Sequence, residues 1–339
     1  MSATCTLEAP VDVGSARRRG PLSAWVVDRL RGGAGPSPTQ VGNSFSDDAQ
    51  TALYLCYESH FGDIAPSFDA EWDPLLIEFR GRLEHSFERE LRRRVGMDEA
   101  AGAVDADNVG ECIRRLIAAD KGPSLSRHME RAGTLEQMRQ FVLHRSAYQL
   151  KEGDGHTFGI PRLRHQAKQL LVQIQAGEYG ADEPDRVMHS ELFAQTMAEL
   201  GLDNRPNACL AELPASALAV SNLISMFGLN RRLRSAMVGH LAVFEMTGVQ
   251  PMARYARALR RMGASDRSTR FYDVHVFADA EHEVMVDELA TAHLLDEPAA
   301  GLEVIFGASC VLEVERWFAE DLLHEWSSLS ARIQRERAA

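Results

Sequence analysis

The run FYDVHVFADAEHEVMVDEL, residues 271–289, decides how the chain is to be read. His275, Asp279, His282, Val286 and Leu289 recur at i, i+4, i+7, i+11 and i+14, so in a helix two imidazoles and a carboxylate share a face with two aliphatic side chains. Polar groups thus stand on a stripe destined for burial. An unpaired buried polar group loses hydration worth roughly 2–7 kcal/mol, which a metal ion or ordinary hydrogen-bond partners must offset. The triad alone does not choose between those two readings.

The same inward placement recurs elsewhere. In KQLLVQIQAGEYG (168–180), Glu178 follows Ile174 by four and Leu171 by seven. His189 aligns with Phe193, Met197 and Leu200 on the inner face of the next helix. In LRSAMVGHLAVFEMTG (233–248), Glu245 follows Leu241 by four and Val238 by seven. Glu178, His189, Glu245, His275, Asp279 and His282 are therefore three carboxylates and three imidazoles on core faces of four expected helices, enough for two metal ions. A nitrogen and oxygen donor set without thiolate favours iron or manganese over structural zinc, and carboxylates can bridge two ions. Helical bundles hold such centres in their cores. The paired Glu-x-x-His pattern of ferritin-like bundles is missing, since no Glu-x-x-His occurs in the sequence.

Bulk properties narrow the classes. With 339 residues, 45% apolar, the chain has room for a large core. A net charge of −12 argues against nucleic acid and anionic membrane as partners. No apolar run approaches the ~20 residues of a membrane span, and the N-terminus lacks a signal-peptide stretch, so the expected location is the cytoplasm. The five cysteines, Cys5, Cys56, Cys112, Cys209 and Cys310, lie without any Cys-x-x-Cys pair and read as free thiols. No Gly-rich phosphate loop or Gly-x-Ser-x-Gly elbow is present.

Residues 1–45, rich in Gly, Pro, Ser and Arg, read as a flexible leader. From Asp47 the periodicity is helical, in DDAQTALYLCYESHF and then WDPLLIEFRGRLEHSFERELRRRV, followed by an acidic loop at 98–109. Further helices are expected over 109–119, 134–149, 162–179, 187–201, 214–227, 229–246, 250–263, 268–291 and 301–334, with breaks at GDGHTFGIP, YGADEPDR, LDNRPN and TGVQP. The class is all-α, with one helical domain over 46–335: accessory helices to 150, metal-site core helices over 151–292, and a C-terminal helix over 293–335.

These residues resemble the haem-oxygenase-like di-iron oxidases, also described as iron-containing redox enzymes. The similarity spans 46–292 and is carried by LYLCYESHFG, WDPLLIEFRGRLE, FVLHRSAYQLKEGDGHTFGIPRL, QIQAGEYG, HSELFAQTM, LNRRLRSAMVGHLAVFEMT and HVFADAEHE. The resemblance implies a haem-oxygenase-like bundle with extra N-terminal helices. It also implies metal-ligand roles for Glu178, His189, Glu245 and the His275, Asp279, His282 set, with a longer Glu178-to-His189 separation than in compact members. Some N-oxygenating relatives recruit one more carboxylate, for which Glu152 is a candidate beside Asp154 and His156 in the same loop.

The cofactors so implied are two iron ions, with O2 as co-substrate and an external electron donor. The substrate is expected to be a small amine- or amino-acid-type metabolite of specialised metabolism, its nitrogen oxygenated; desaturation or oxidative C–C cleavage of an amino or fatty acid is the alternative. A metal-free helical binding protein and a single-metal enzyme are the rival readings. Arg162, Arg164, Arg231, Arg232 and Arg234 could anchor a substrate carboxylate, against ordinary surface ion pairing. His60, His240 and the Asp321/His324 pair read as structural or solvated, and a homodimer through outer helices is compatible with this architecture.

Overall fold

Helical periodicity governs almost every segment that the computed structural model describes, namely residues 11–12, 18–61, 64–65, 70–96, 104–181 and 185–338. Thirteen α-helices stand among them: α1 Pro21–Leu30, α2 Asp47–Phe61, α3 Pro74–Val95, α4 Val109–Ala119, α5 Leu125–Arg131, α6 Leu135–Gln149, α7 Asp154–Thr157, α8 His165–Glu178, α9 His189–Glu199, α10 Ala215–Leu229, α11 Arg234–Arg261, α12 Asp266–Asp296 and α13 Gly301–Ala338. The strands in the described residues are the two-residue pieces β1 Val11–Asp12 and β2 Ile64–Ala65, paired in parallel. The protein is all-α, as its sequence implies.

Local chemistry sets the helix ends. The Asp73 carboxylate accepts from the Leu76 amide, Pro74 opens α3, and the left-handed Gly96 closes it. Thr134 and Gln137 form a reciprocal capping box at the start of α6. Helix α10, apolar nearly all round, is buried along its length against α2, α6, α11 and α13. Helices α11 and α12 share the most extensive helix–helix contact, and α8 and α9 both lie against α12. That arrangement faces the inner stripes of α8, α9, α11 and α12 toward one another.

Two expectations change. Residues 18–45 are not a flexible leader: α1 places Leu22, Val26, Val27 and Leu30 in the core, and the Asp48 carboxylate accepts from the Leu22 and Ser23 amides at its start. A four-residue apolar stripe on a ten-residue helix is short, but α2 completes its packing. Residues 1–10 and 13–17 lie outside the described residues, as do 98–103 of the expected acidic loop. TGVQP does not break the chain, because α11 runs on through Pro251. Proline removes one amide donor from the ladder, and packing on α12 and α13 holds the helix across that gap.

Candidate metal centre

Two groups of ligand-type side chains meet where α8, α9, α11, α12 and the turn after α6 converge. Glu152, Glu178, His189 and His275 form the first, Glu178, Glu245 and His282 the second, each with its ligand atoms within 4.8 Å of one another. Glu178 belongs to both. Its Oε2 lies 2.9 Å from His189 Nδ1 and its Oε1 3.6 Å from His282 Nδ1. One carboxylate therefore presents one oxygen to each group, the arrangement of a bridging ligand. His282 Nδ1 is also 3.1 Å from Glu245 Oε2, and His275 Nε2 is 3.4 Å from Glu152 Oε2.

The backbone fixes these positions. His275 Nδ1 donates to the Phe271 carbonyl at 2.7 Å, one helical turn back, which aims Nε2 at the centre. Gly153 adopts φ 89°, and a Cβ there would stand 3.2 Å from the Glu178 Cβ, so only glycine lets the Glu152 turn close over α8 comfortably. The turn is anchored on its other side by Lys151, buried against Glu58 and 3.1 Å from the Tyr54 hydroxyl.

The donor set fits a metal on an observation of this structure. His275 Nε2 and Glu152 Oε2 are both buried and have no hydrogen-bond partner, yet face one another. Adjacent donors around an octahedral ion with bonds of about 2.1 Å stand about 3 Å apart, and the 2.9–3.6 Å separations here are of that size. Charge points the same way. Burial pushes the Asp279 carboxyl up to about 8 and also raises Glu245. Burial opposes charging of His275 and His282, yet Glu152 drives His275 well above its usual value and Glu245 lifts His282 to about 9. Against its own burial, Glu178 is held down at about 2 by His189. Protons here occupy the place of missing positive charge.

The sequence-predicted residues do not all converge. Glu152 does, although it lies in a turn. Asp279 joins neither group: it is buried on the stripe, but its carboxylate lies against Gly248 of α11, where a Cβ would come within 1.9 Å of Oδ2. Asp154 accepts from the Tyr179 hydroxyl at 2.8 Å, and His156 pairs with His240 at 3.1 Å. His60 contacts Glu71 and Arg80, and Asp321 accepts from Ser216.

A cavity of about 300 Å³ runs from the centre, walled there by Glu152, Glu178, Glu245, His275 and Asp279, out to the α4–α5 connection. None of Arg162, Arg164, Arg231, Arg232 and Arg234 lines it. Arg232 pairs with Glu88, Arg234 with Glu297, and Arg162 with the Gly228 carbonyl. The cavity arginines are Arg145 and Arg316 instead. The missed signal is a stripe on α6 and its C-terminal turn, Phe141, Arg145, Tyr148, Gln149 and Glu152, at i, i+4, i+7, i+8 and i+11.

A family model described as iron-containing redox enzyme matches residues 139–316, just over half of the chain and a span that holds every residue of both ligand groups. No protein of curated function matches the sequence. Among solved structures, the chain is similar to a domain of unknown function with a heme oxygenase-like fold from Shewanella denitrificans OS217, at 13% identity, over 66% of this chain and 92% of that one, with a TM-score of 0.47.

Proposed function

The chain belongs to the iron-containing redox enzyme family, and from that premise we propose that it is an O2-dependent oxidoreductase with two iron ions, acting on a small amine-bearing metabolite by oxygenating its nitrogen. The observation that carries this reading is Glu178, whose two oxygens separately face His189 and His282 and so join two ligand groups into one centre. Glu152, Glu178, His189 and His275 would hold one ion, and Glu178, Glu245 and His282 the other. Asp279, three residues before His282, joins neither group in this geometry, and would serve the second ion as a further carboxylate by turning away from Gly248. An iron pair held by these residues would supply redox chemistry toward O2.

The protein's own residues supply orientation and exclusion of water. The Phe271 carbonyl fixes the His275 ring, and the buried walls of α8, α11 and α12 keep bulk solvent from the centre. An amine suits the cavity better than a fatty chain. The Tyr272 hydroxyl, Gln149 Oε1 and Gln175 Nε2 belong to cavity-lining residues, are buried, and have no partner. An aliphatic ligand would leave all three unpaired, at about 1–3 kcal/mol each.

Anaerobic Fe(II) titration of the metal-free protein, followed by O2 consumption with amines or fatty acids present, tests the proposal. Two irons per chain and O2 uptake accelerated by an amine is the expected result. A folded protein that takes up no iron would be a binding protein on the same bundle, and one iron per chain would make it a mononuclear enzyme.

A further inference from the structure

The outer half of the cavity carries a charge pair that the metal centre does not use. Arg145 of α6 forms a two-pronged contact with Glu315 of α13, Nη1 to Oε1 at 2.7 Å and Nη2 to Oε2 at 2.5 Å, and both residues line the cavity. Side-chain exposure falls inward along the wall, from 36% at Arg316 through 28% at Glu315 and 13% at Arg145 to 7% at Glu178, so the pair stands between the solvent side and the metal end. Beside it are unpaired groups of both kinds: Gln149 Oε1, one turn along α6, is a free acceptor, and the Tyr272 hydroxyl is a free donor. Between pair and centre the lining is aromatic, from Tyr148, Phe244 and Tyr255.

We infer that Arg145 and Glu315 are the recognition end of this cavity and receive the zwitterionic head group of an α-amino acid, carboxylate toward Arg145 and ammonium toward Glu315 and Gln149. A half-buried pair of opposite charges on the cavity wall is matched by a ligand carrying the same two charges, and a singly charged ligand leaves one partner unmatched. From Arg145 the helix runs four more residues to Gln149, about 6 Å at 1.5 Å per residue, and Glu152 lies beyond it in the turn toward the centre. The reacting atom therefore sits at the far end of a long, aromatic or largely apolar side chain. On the proposed amine-oxygenating function, from which this inference proceeds, that atom is a side-chain nitrogen.

The test is calorimetric titration of L-4-aminophenylalanine into the full-length protein, metal-free and iron-loaded, beside 4-(2-aminoethyl)aniline, which lacks the carboxylate, and 3-(4-aminophenyl)propionic acid, which lacks the α-amino group. The amino acid is expected to bind at least tenfold more tightly than either comparator. In the double variant Arg145→Met/Glu315→Met that preference is expected to disappear. Replacing both partners with apolar side chains leaves no buried unpaired charge, and unchanged circular dichroism and iron content would confirm that fold and centre persist. Equal affinities for the three ligands, an undiminished preference in the double variant, or no binding of the amino acid overturns the inference. Its failure with two irons bound leaves the oxidoreductase reading standing, whereas head-group discrimination without iron uptake removes that reading and keeps this one.

Discussion

Two buried polar clusters lie at neighbouring positions of the chain and are built on opposite terms. Around Lys151 every charge has its answer: Glu58, fully buried, meets Lys151 with Oε1 and the Asn207 amide at 2.6 Å with Oε2, while Lys151 also reaches the Tyr54 hydroxyl. One residue later, Glu152 opens a cluster that leaves its own Oε2 and His275 Nε2 without hydrogen-bond partners and gathers Glu178, Glu245 and Asp279 beside only three imidazoles. A buried network that serves packing satisfies its own members. One left short of positive charge, with lone pairs aimed at common points, is arranged for something that arrives afterwards.

That contrast can be broken by substitution. The largest effect is expected at Glu178, the residue shared by both groups. Glu178→Ala should reduce iron content from two per chain to none under conditions where Glu245→Ala, touching one group, retains one; colorimetric iron analysis reads the difference. Equal losses in the two variants would remove the bridging role.

The second effect separates packing charge from functional charge. Lys151→Met leaves Glu58 buried without its cation and should cost about 3–5 kcal/mol in denaturant unfolding of the metal-free protein. Glu245→Gln removes a charge that burial disfavours, at the expense of the His282 contact, and should cost the metal-free protein less than Lys151→Met does. A large destabilisation in the second variant would mean that the centre is an ordinary self-satisfied network.

Gly248→Ala is the sharper steric probe. The new methyl would fall 1.9 Å from Asp279 Oδ2 and must displace that carboxylate. The expected cost is about 1–3 kcal/mol, and reduced binding of the second iron would tie Asp279 to that ion.

The smallest expected effect is on pH. His282, with its folded value raised to about 9, contributes stability that is fully present below about 6.5 and is lost as pH rises through 9. Asp279, raised to about 8, loses its contribution in the same direction as pH climbs to 8. Glu178, depressed to about 2, contributes the opposite way, its stabilisation present above its ordinary value of 4.5 and lost as pH falls through 2. The metal-free protein should therefore melt at a lower temperature at pH 9 than at pH 6.5. Iron affinity should rise over the same interval, because binding must displace the protons that His275, His282 and Asp279 hold. A metal-free melting temperature that rises toward pH 9 would contradict this charge assignment.

Some of this centre could be read along the chain because a helix repeats every 3.6 residues. The stripe from His275 to Leu289 and the inward faces of Glu178, His189 and Glu245 follow from spacing alone, and burial of each is observed. Lys151 stands in a turn, where no periodicity announces direction, and Glu152, though in register with the α6 stripe, entered only through resemblance. The α6 stripe holding Arg145 was periodic but mixed aromatic, cationic and amide groups, so no apolar contrast marked which face turned inward. Pro251 gave a break signal that packing overrode, and α1, only 10 residues long, was too short to advertise a core helix without α2 beside it.

By itself, then, the sequence determined the helical class and the set of polar side chains condemned to burial, because both depend on interactions within a few turns of one helix. Only the tertiary structure decided that Glu178 divides its oxygens between His189 and His282, that Asp279 turns to Gly248, and that Arg145 faces Glu315 across the cavity. Those meetings join residues up to 170 positions apart, and their geometry is set by how helices cross, which no local period encodes.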